Sequence, residues 1–588
     1  MSEIHVKANF ETTIKISPVM NLRIAVIQMN PTVGDLKGNR EKIFRGIEEG
    51  RKINADLIVF PELALTGYSP EDLAINPYFV KQNKKELQKI VEHVGNEIVI
   101  LGFIDEWESF IYNSAAVIHR GKIVDIVHKV FLPNYGLFDE MRTFRRGDDY
   151  HILDISGFRV GIEICEDIWH DEPARIQSLN GADVIVVLNA SPFYVSKQTY
   201  RERMVGARAA DNLVPIVYAN MVGGQDDFVM DGRSFAVNER GYVIARAKPF
   251  QEDILVIDIP RDWSLRAKAH EPRLNQYDEI PPVIIKRVEK ELKNPYQFKG
   301  EISPFPAFEE EIYNVIKLAL HDYVKKSGFD KVVIGISGGI DSALVATLSA
   351  DAFGPENVYG VWMPSRYNSR ESYEDAKQLA ENLGIHFLEI PIDSIFDEYL
   401  KNLKEAFRGY EPDTTEENIQ ARIRGNILMA IANKYRALVI ATGNKSEYAT
   451  GYATLYGDMA GAYAPLKDVY KTWVYRIARW RNSIEPVIPE RIFTKPPTAE
   501  LKPNQTDQDV LPPYEILDEI LKYAVEEDMG PEEVINLLGE KVKPYVEKTY
   551  RMLKRSEFKR KQAPLGPKVS RRAFYRERRY PNVNGFVM

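Results

Sequence analysis

VVIGISGGIDS, residues 332–342, is the stretch whose reading decides the fold. Val332, Val333, Ile334 and Ile336 are β-branched and predict a buried strand, which breaks at Gly338 and Gly339 and passes into a helix beginning near Ser342. A strand, a glycine turn and a helix mouth form an anion cradle. Glycine lets backbone N–H groups come close, the helix end adds about half a positive charge, and Ser337 and Ser342 supply hydroxyls. Asp341 faces the same mouth and would repel phosphate unless a cation lay between them, which makes it a candidate Mg2+ ligand. The loop has neither the length nor the lysine of GxxxxGK[ST], so a P-loop kinase or GTPase is disfavoured. The competing reading is a glycine turn whose Ser and Asp only cap the helix.

Downstream the chain repeats strand and helix: VYGVWM, a helix across 371–383, HFLEI, a helix toward Phe407, another through 418–435, then ALVIAT. That order predicts a doubly wound parallel sheet with a nucleotide at the carboxyl ends of its strands. SGGIDS, MPSRYNS and ATGNKSE all fall on that edge. There Thr442 can donate to a phosphate, Glu447 can share a Mg2+ with Asp341, and Lys471 adds positive charge. Taken alone, TGNKSE also reads as a loop capped by Thr and Asn with a solvated glutamate. Upstream, Phe308, Ile312, Val315 and Ala319 mark one face of a helix leading into the decisive strand.

Before that helix, residues 263–305 gather prolines and read as a linker, with one short helix at IIKRVEKEL and a boundary near residue 290. Residues 306–588 form the second domain and residues 22–262 the first; residues 1–21 are an extension without a motif. The first domain is rich in strands, among them RIAVIQM, DLIVF, EIVILGF, RVGIEI, DVIVVLNA and SFAVNERGYVIA, with few helices. That predicts two stacked sheets with helices outside. At 588 residues, 44% hydrophobic and 28% charged, the chain is an ordinary globular one with room for two or three cores. No apolar run reaches membrane-span length and the first twenty residues lack a signal-peptide core, so the expected location is the cytoplasm, with no membrane partner. The lone Cys165 rules out an intrachain disulfide.

The formal charge is −8, but eleven Lys or Arg against two Glu between 554 and 579 leave the rest at −17. A basic segment on an acidic body predicts a bound polyanion there, nucleotide phosphates or RNA, unless it is simply solvated.

Three strands of the first domain end in a chemically capable side chain: Glu62, Lys129 and Cys165. If the ends of one sheet bring them together, Glu62 can take the thiol proton while Lys129 favours the thiolate and then an oxyanion. Each residue alone is compatible with a structural role.

The segments around these residues resemble known families. FPELALTGY, HKVFLPNYGLFDE, GIEICEDIW and NASPF resemble, in order, the signatures of the nitrilase superfamily. The resemblance implies an α/β/β/α sandwich, with Glu62 as general base, Lys129 as oxyanion partner and Cys165 as the nucleophile on a carboxamide. The backbone N–H of Glu166 would complete the oxyanion hole. KVFLPNYGLFDE is similar to the glutaminase branch, which implies Tyr135 and Glu140 at the α-amino end of glutamine and Ser191 and Lys197 at its α-carboxylate. Tyr68 and Phe138 would wall the pocket.

SGGIDS resembles the pyrophosphate loop of the N-type ATP pyrophosphatases. With EENIQARIRGN, TGNKSE, GYATLYGDMAG, KPPTAELKPNQTDQD and FKRKQAP it resembles the NAD+ synthetase family. That implies ATP contacts at Gly335, Ile336, Ser337, Gly338, Gly339, Ile340, Asp341, Ser342, Thr442 and Lys471. Dinucleotide contacts are implied at Asn418, Arg422, Glu447 and Lys559, and Mg2+ at Asp341 and Glu447. Leu455 and Ala462 depart from the pattern, standing where shorter, ammonia-using relatives carry polar contacts.

The implied reaction is ATP-dependent amidation of nicotinic acid adenine dinucleotide with ammonia from glutamine, by a homo-oligomer that binds no nucleic acid. Two rivals keep parts of this reading: the same ATP chemistry on an RNA acceptor, and an amidase fused to a nucleotide sensor without synthetase activity.

Overall fold

The segment NLRIAVIQ forms a strand, Asn21–Gln28, buried at all eight positions. It pairs antiparallel with Asp253–Pro260 and parallel with Leu57–Val59. Ile98–Trp107, Phe110–His119 and Lys122–His128 follow in order to complete six strands. These elements come from a computed structural model that describes residues 20–272, 276–277, 279–574 and 576–586. The expected extension, 1–21, therefore lies almost wholly outside the described residues. A second sheet has seven strands in the order Val243–Arg246, Phe235–Val237, Ile216–Asn220, Val184–Asn189, Phe158–Ile164, His151–Ile155 and Ile284–Val288.

Alternation along each strand decides how the two sheets meet. Leu22, Ile24 and Val26 of the first sheet and Val160, Ile162, Val184 and Val186 of the second share one apolar cluster. The opposite face of the first sheet packs under the helices Leu36–Lys52 and Pro77–His93 through Ala25, Ile43, Ile47 and Ile90. The opposite face of the second packs under Glu172–Leu179 and Lys197–Asn212 through Ile185, Ala174, Val205 and Ala209. The first domain is thus an α/β/β/α sandwich.

Three local expectations change. IIKRVEKEL is not a helix: Ile284–Val288 is a strand parallel to His151–Ile155, at the open edge of the second sheet. Its β-branched residues prefer the pleated edge. The presumed linker also folds back, with Arg246 N donating to Glu301 O and Ser303 N to Arg246 O, so much of 263–305 belongs to the first domain. SFAVNERGYVIA is two antiparallel strands, Phe235–Val237 and Val243–Arg246, joined through Gly241 at φ +81°.

The second domain opens with the helix Phe308–Lys326. Its sheet is four parallel strands in the order His386–Glu389, Val358–Trp362, Lys331–Gly335 and Ala437–Val439. Lys331–Gly335 has the next strand of the chain on one side and the last on the other. Connections therefore leave it in opposite directions, and the crevice at its carboxyl end is where such sheets bind ligands. Beyond the sheet, Tyr514–Leu521, Pro531–Leu538 and Lys543–Arg555 add a helical unit with its own apolar cluster.

The domains meet where Phe308–Lys326 lies against the hairpin Val222–Gln225 and Phe228–Asp231. Asp322 Oδ2 accepts from Asn30 Nδ2 at 2.7 Å and from Gly224 N at 2.8 Å. Lys326 Nζ donates to Asn30 Oδ1 at 2.7 Å and to Gly224 O at 2.8 Å. A Cβ on Gly224 would lie 2.9 Å from Ala319 Cα, so only glycine lets the hairpin come this close. Among the described residues no helix is long and apolar enough to cross a membrane.

Candidate active site

Two clusters of buried charge stand at strand ends, one in each domain. In the first, Glu62 follows Leu57–Val59 and Lys129 follows Lys122–His128, both in the first sheet, whereas Cys165 follows Phe158–Ile164 in the second. Convergence of one sheet's ends is therefore not the arrangement; the groups face each other across the two sheets. Glu62 is fully buried, and its loop rests on Gly102, where a Cβ would fall 2.1 Å from Leu63 N.

Lys129 is also fully buried. Its Nζ donates to Glu62 Oε1 at 2.7 Å and to Glu140 Oε1 and Oε2 at 2.8 and 2.9 Å. Burial opposes its charge, but the Glu140 and Glu62 carboxylates outweigh burial and hold its pKa well above a free lysine's. Glu62 takes two further donors, Asn113 Nδ2 at 2.7 Å and Ala190 N at 2.9 Å. Its orientation is thereby set. Cys165 starts the short turn Cys165–Trp169 with φ +48°, a conformation a non-glycine residue adopts at a cost. Burial, and then the Glu62 charge, push its thiol well up while Lys129 pulls it down. A neutral thiol beside a carboxylate and an ammonium is poised to lose its proton only as it attacks.

The four expected glutamine contacts separate. Tyr135 is 57% exposed and its hydroxyl donates to Glu166 Oε2 at 2.9 Å. Glu140, expected at the amino end of glutamine, has its carboxylate on Lys129 and on Tyr68 OH (2.9 Å) and is buried. Ser191 Oγ accepts from buried Arg201 Nε at 3.0 Å. Lys197 Nζ lies 4.2 Å from the centre of the Trp169 ring, and burial, then the Arg201 charge, lowers its pKa to about 7. Tyr68 and Phe138 stand edge to face, with ring centroids 6.2 Å apart.

Asp167 escaped the sequence reading. Its Oδ1 accepts from Val130 N at 3.1 Å and Phe131 N at 2.8 Å, and its Oδ2 from Ile164 N at 3.0 Å. One carboxylate thus ties the strand end of Lys129 to that of Cys165. Its place two residues after the cysteine was the available signal.

The second cluster sits at the crevice between Lys331–Gly335 and Ala437–Val439. Asn444 Nδ2, from TGNKSE, donates to Asp341 Oδ1 at 2.9 Å, and Asn444 N to Glu447 Oε2 at 3.1 Å. Lys471 Nζ pairs with Asp341 and lies 3.5 Å from Glu447 Oε1. Burial, then repulsion from Asp341, raises the Glu447 pKa. Lys471 is buried too, yet the charges of Asp341 and Glu447 raise its pKa. A third carboxylate, Asp507, acts on both and accepts from Tyr514 OH at 2.8 Å; it was hidden in NQTDQD.

The loop itself is built as its glycines suggest. Gly338 has φ +75°, and a Cβ there would meet Ser372 O at 2.5 Å. Ser342 Oγ donates to Gly339 O at 3.0 Å and accepts from Ser337 N at 3.2 Å, so both serines brace the turn. Ile336 and Ile340 are buried, Gly335 ends the strand, and Thr442 is partly exposed on the neighbouring loop.

Asn418, Arg422 and Lys559 converge on one short segment. Asn418 Oδ1 accepts from Thr454 Oγ1 at 2.7 Å, Arg422 Nε donates to Leu455 O at 3.2 Å, and Lys559 Nζ donates to Gly451 O at 2.8 Å and Ala453 O at 2.7 Å. Ala462 N donates to Val439 O, at the sheet edge.

A thiol, a carboxylate and an ammonium at the heart of an α/β/β/α sandwich define a nitrilase-type amidase, here joined to a glycine-loop nucleotide domain. Residues 23–266 match the carbon–nitrogen hydrolase family and residues 312–563 match the NAD synthase family. A glutamine-dependent NAD(+) synthetase of Aquifex aeolicus is 49% identical over 567 residues, 96% of this chain and 100% of that protein. One from Thermotoga maritima is 49% identical over 573 residues, 96% of this chain and 99% of its own length. The solved glutamine-dependent NAD+ synthetase of Acinetobacter baumannii, in complex with adenosine diphosphate, is 38% identical with a TM-score of 0.71, covering 96% of this chain and 99% of that one. The chain belongs to the glutamine-dependent NAD+ synthetase family.

Proposed function

We propose that the chain makes NAD+ from nicotinic acid adenine dinucleotide, ATP and glutamine, the first domain releasing ammonia and the second activating the dinucleotide. The observation that carries this is the pairing of two buried charge clusters in one chain, the Glu62–Lys129–Glu140 group beside Cys165 and the Asp341–Lys471–Glu447 group at the switch point of a parallel sheet.

In the first cluster Glu62 takes the Cys165 proton as sulfur attacks the glutamine carboxamide carbon. The oxyanion is met by Lys129 and by the N–H of Glu166, which belongs to the first, unpaired amides of its turn. Glu62 then returns the proton to the departing nitrogen, ammonia leaves, and water hydrolyses the thioester. Glu140 is assigned to holding Lys129 charged. Lys197 is assigned to the glutamine α-carboxylate, with Tyr135 at the entrance and Ser191 held at the back by Arg201.

In the second cluster the nicotinate carboxylate attacks the α-phosphorus of ATP, pyrophosphate leaves, and ammonia displaces AMP from the dinucleotide adenylate. Backbone amides of 335–342, with Ser337, Ser342 and Thr442, cradle the phosphates, and Lys471 offsets their charge. Asn418, Arg422 and Lys559 hold the dinucleotide against residues 451–455.

The donors fit Mg2+. Asp341, Glu447 and Asp507 are hard oxygen ligands in surplus over one lysine, and a raised Glu447 pKa is what a nearby dication would reverse. Among the described residues no three such side chains close round one point, so Asp341 and Glu447 would share the ion with ATP phosphates. When bound it would neutralise the leaving pyrophosphate. The reading places the enzyme in the cytoplasm, as a homo-oligomer.

Separate losses test the division of labour. Cys165→Ala is expected to abolish NAD+ formation from glutamine and to keep it with an ammonium salt. Asp341→Ala is expected to lose it with either nitrogen source. Loss of both activities in the cysteine variant, or retained synthesis in the aspartate variant, overturns the reading.

A further inference from the structure

The basic C-terminal segment is only partly consumed by the fold. Arg560 donates to Ala449 O, and Lys559 to Gly451 O and Ala453 O. Lys568 pairs with Glu577, Arg571 with Glu527, Arg572 with Asp528, and Arg576 with Glu71 and Asp227. Each of these cations is accounted for by a carbonyl or a carboxylate.

Arg578 is not. It is 2% exposed, and its single carboxylate, Glu557, is shared: Arg578 Nη1 lies 3.1 Å from Glu557 Oε2, and Arg560 Nη2 lies 2.8 Å from the same atom. The guanidinium stacks 3.7 Å from the centre of the Tyr580 ring. Its Nε, like that of Arg560, is buried with no hydrogen-bond acceptor among the described residues. Two guanidiniums on one carboxylate leave an excess of buried positive charge beside it.

Arg578 and Glu557 also line a hollow of about 390 Å³, together with Arg551, Lys554 and Arg555 of the helix Lys543–Arg555, four cations against one carboxylate. None of those three has an ion-pair or hydrogen-bond partner among the described residues. Lys554 and Arg555 suit the helix C-terminus, where the dipole is negative. Arg551, a turn earlier, gains nothing there, and together with the rest it faces one cavity. No residue lining the hollow belongs to either reactive centre.

We propose that this hollow is a binding site for a phosphate group, as the free ion or as a small phosphomonoester, distinct from the glutamine and ATP sites. A doubly charged tetrahedral anion can accept from several cations at once, which one carboxylate cannot match, and guanidinium forks suit its geometry. The volume admits a phosphate with a sugar-sized substituent. Tyr580 supplies the apolar wall.

The test is calorimetric titration of the whole protein in phosphate-free chloride buffer, its ATP site saturated with a non-hydrolysable ATP analogue. Inorganic phosphate, ribose 5-phosphate and a short single-stranded RNA are the three probes. Binding of either phosphate probe is expected, and the tighter of the two identifies the source as the free ion or a phosphomonoester. The double substitution Arg551→Gln, Lys554→Gln is expected to weaken that binding by about tenfold or more, and Arg551→Lys, Lys554→Arg to restore it within about threefold. NAD+ formation by the Gln variant is expected to stay within about twofold of the parent's. The proposal is overturned if neither phosphate probe binds at about 10 mM, if the Gln variant binds as tightly as the parent, or if only RNA binds.

Discussion

Lys129 and Lys197 show how far one residue type can be driven by its surroundings. The first is boxed in by two carboxylates and stays charged; the second rests on aromatic rings beside Arg201, and its pKa falls from 10.5 to about 7. If Lys197 receives the glutamine α-carboxylate, only its charged form binds well. That form falls from half the molecules at pH 7 to about a tenth at pH 8. The apparent KM for glutamine is therefore expected to rise about fivefold over that unit, while Lys197→Arg shows a flat profile. A flat profile in the parent protein would remove Lys197 from that role. The depression also has a sign for stability: between about pH 10.5 and 7 the unfolded chain binds the proton and the folded one does not, so the penalty grows as pH falls and is complete below 7.

At the scale of elements, the glycine loop and two helices form one unit. Asp518 accepts from Ser446 Oγ, and from Thr472 N and Oγ1 at 2.8 Å, so it joins the helix Lys445–Thr450, which carries Glu447, to Lys471–Ile484, which begins with Lys471. Gly338 closes the loop against Ser372. Gly338→Ala would strain a left-handed residue and push its Cβ into a carbonyl oxygen. It is expected to lower NAD+ formation at least about tenfold with glutamine or ammonium alike, leaving glutamine hydrolysis intact. Assaying both half-reactions checks this, and equal loss in both would mean that the loop supports the whole chain.

The whole molecule is held by charge as well as by apolar packing. A buried series runs from Ser191 through Arg201 (3.0 Å), Asp231 (2.8 Å) and Arg233 (3.3 Å) to Glu311 (2.6 Å) on the first helix of the second domain. Beside it, Asp322 collects Asn30 and the Gly224 amide. Asp322→Ala would leave those donors and Lys326 without their carboxylate. A stability loss of about 2–4 kcal/mol in denaturant unfolding is expected, with faster proteolysis at the joint. An unchanged midpoint would show that the joint rests on packing alone.

Much of this could be read from local pattern. β-branched runs ending in Glu62, Lys129 and Cys165, and a glycine break before Ser342, signal strand ends and a helix mouth because burial and backbone freedom act over a few residues. The sandwich, the parallel sheet and the family were legible on that basis. Which charge meets which was not: the pairing of Glu140 with Lys129, the tie made by Asp167, the edge strand Ile284–Val288 and the unequal use of the basic segment were settled only by tertiary structure. Charge interactions fall off with distance through space and not along the chain, and a strand at an edge is chosen by its neighbour. The sequence by itself determined which reactive groups stand at strand ends; folding decided which of them face one another, across two sheets and not along one.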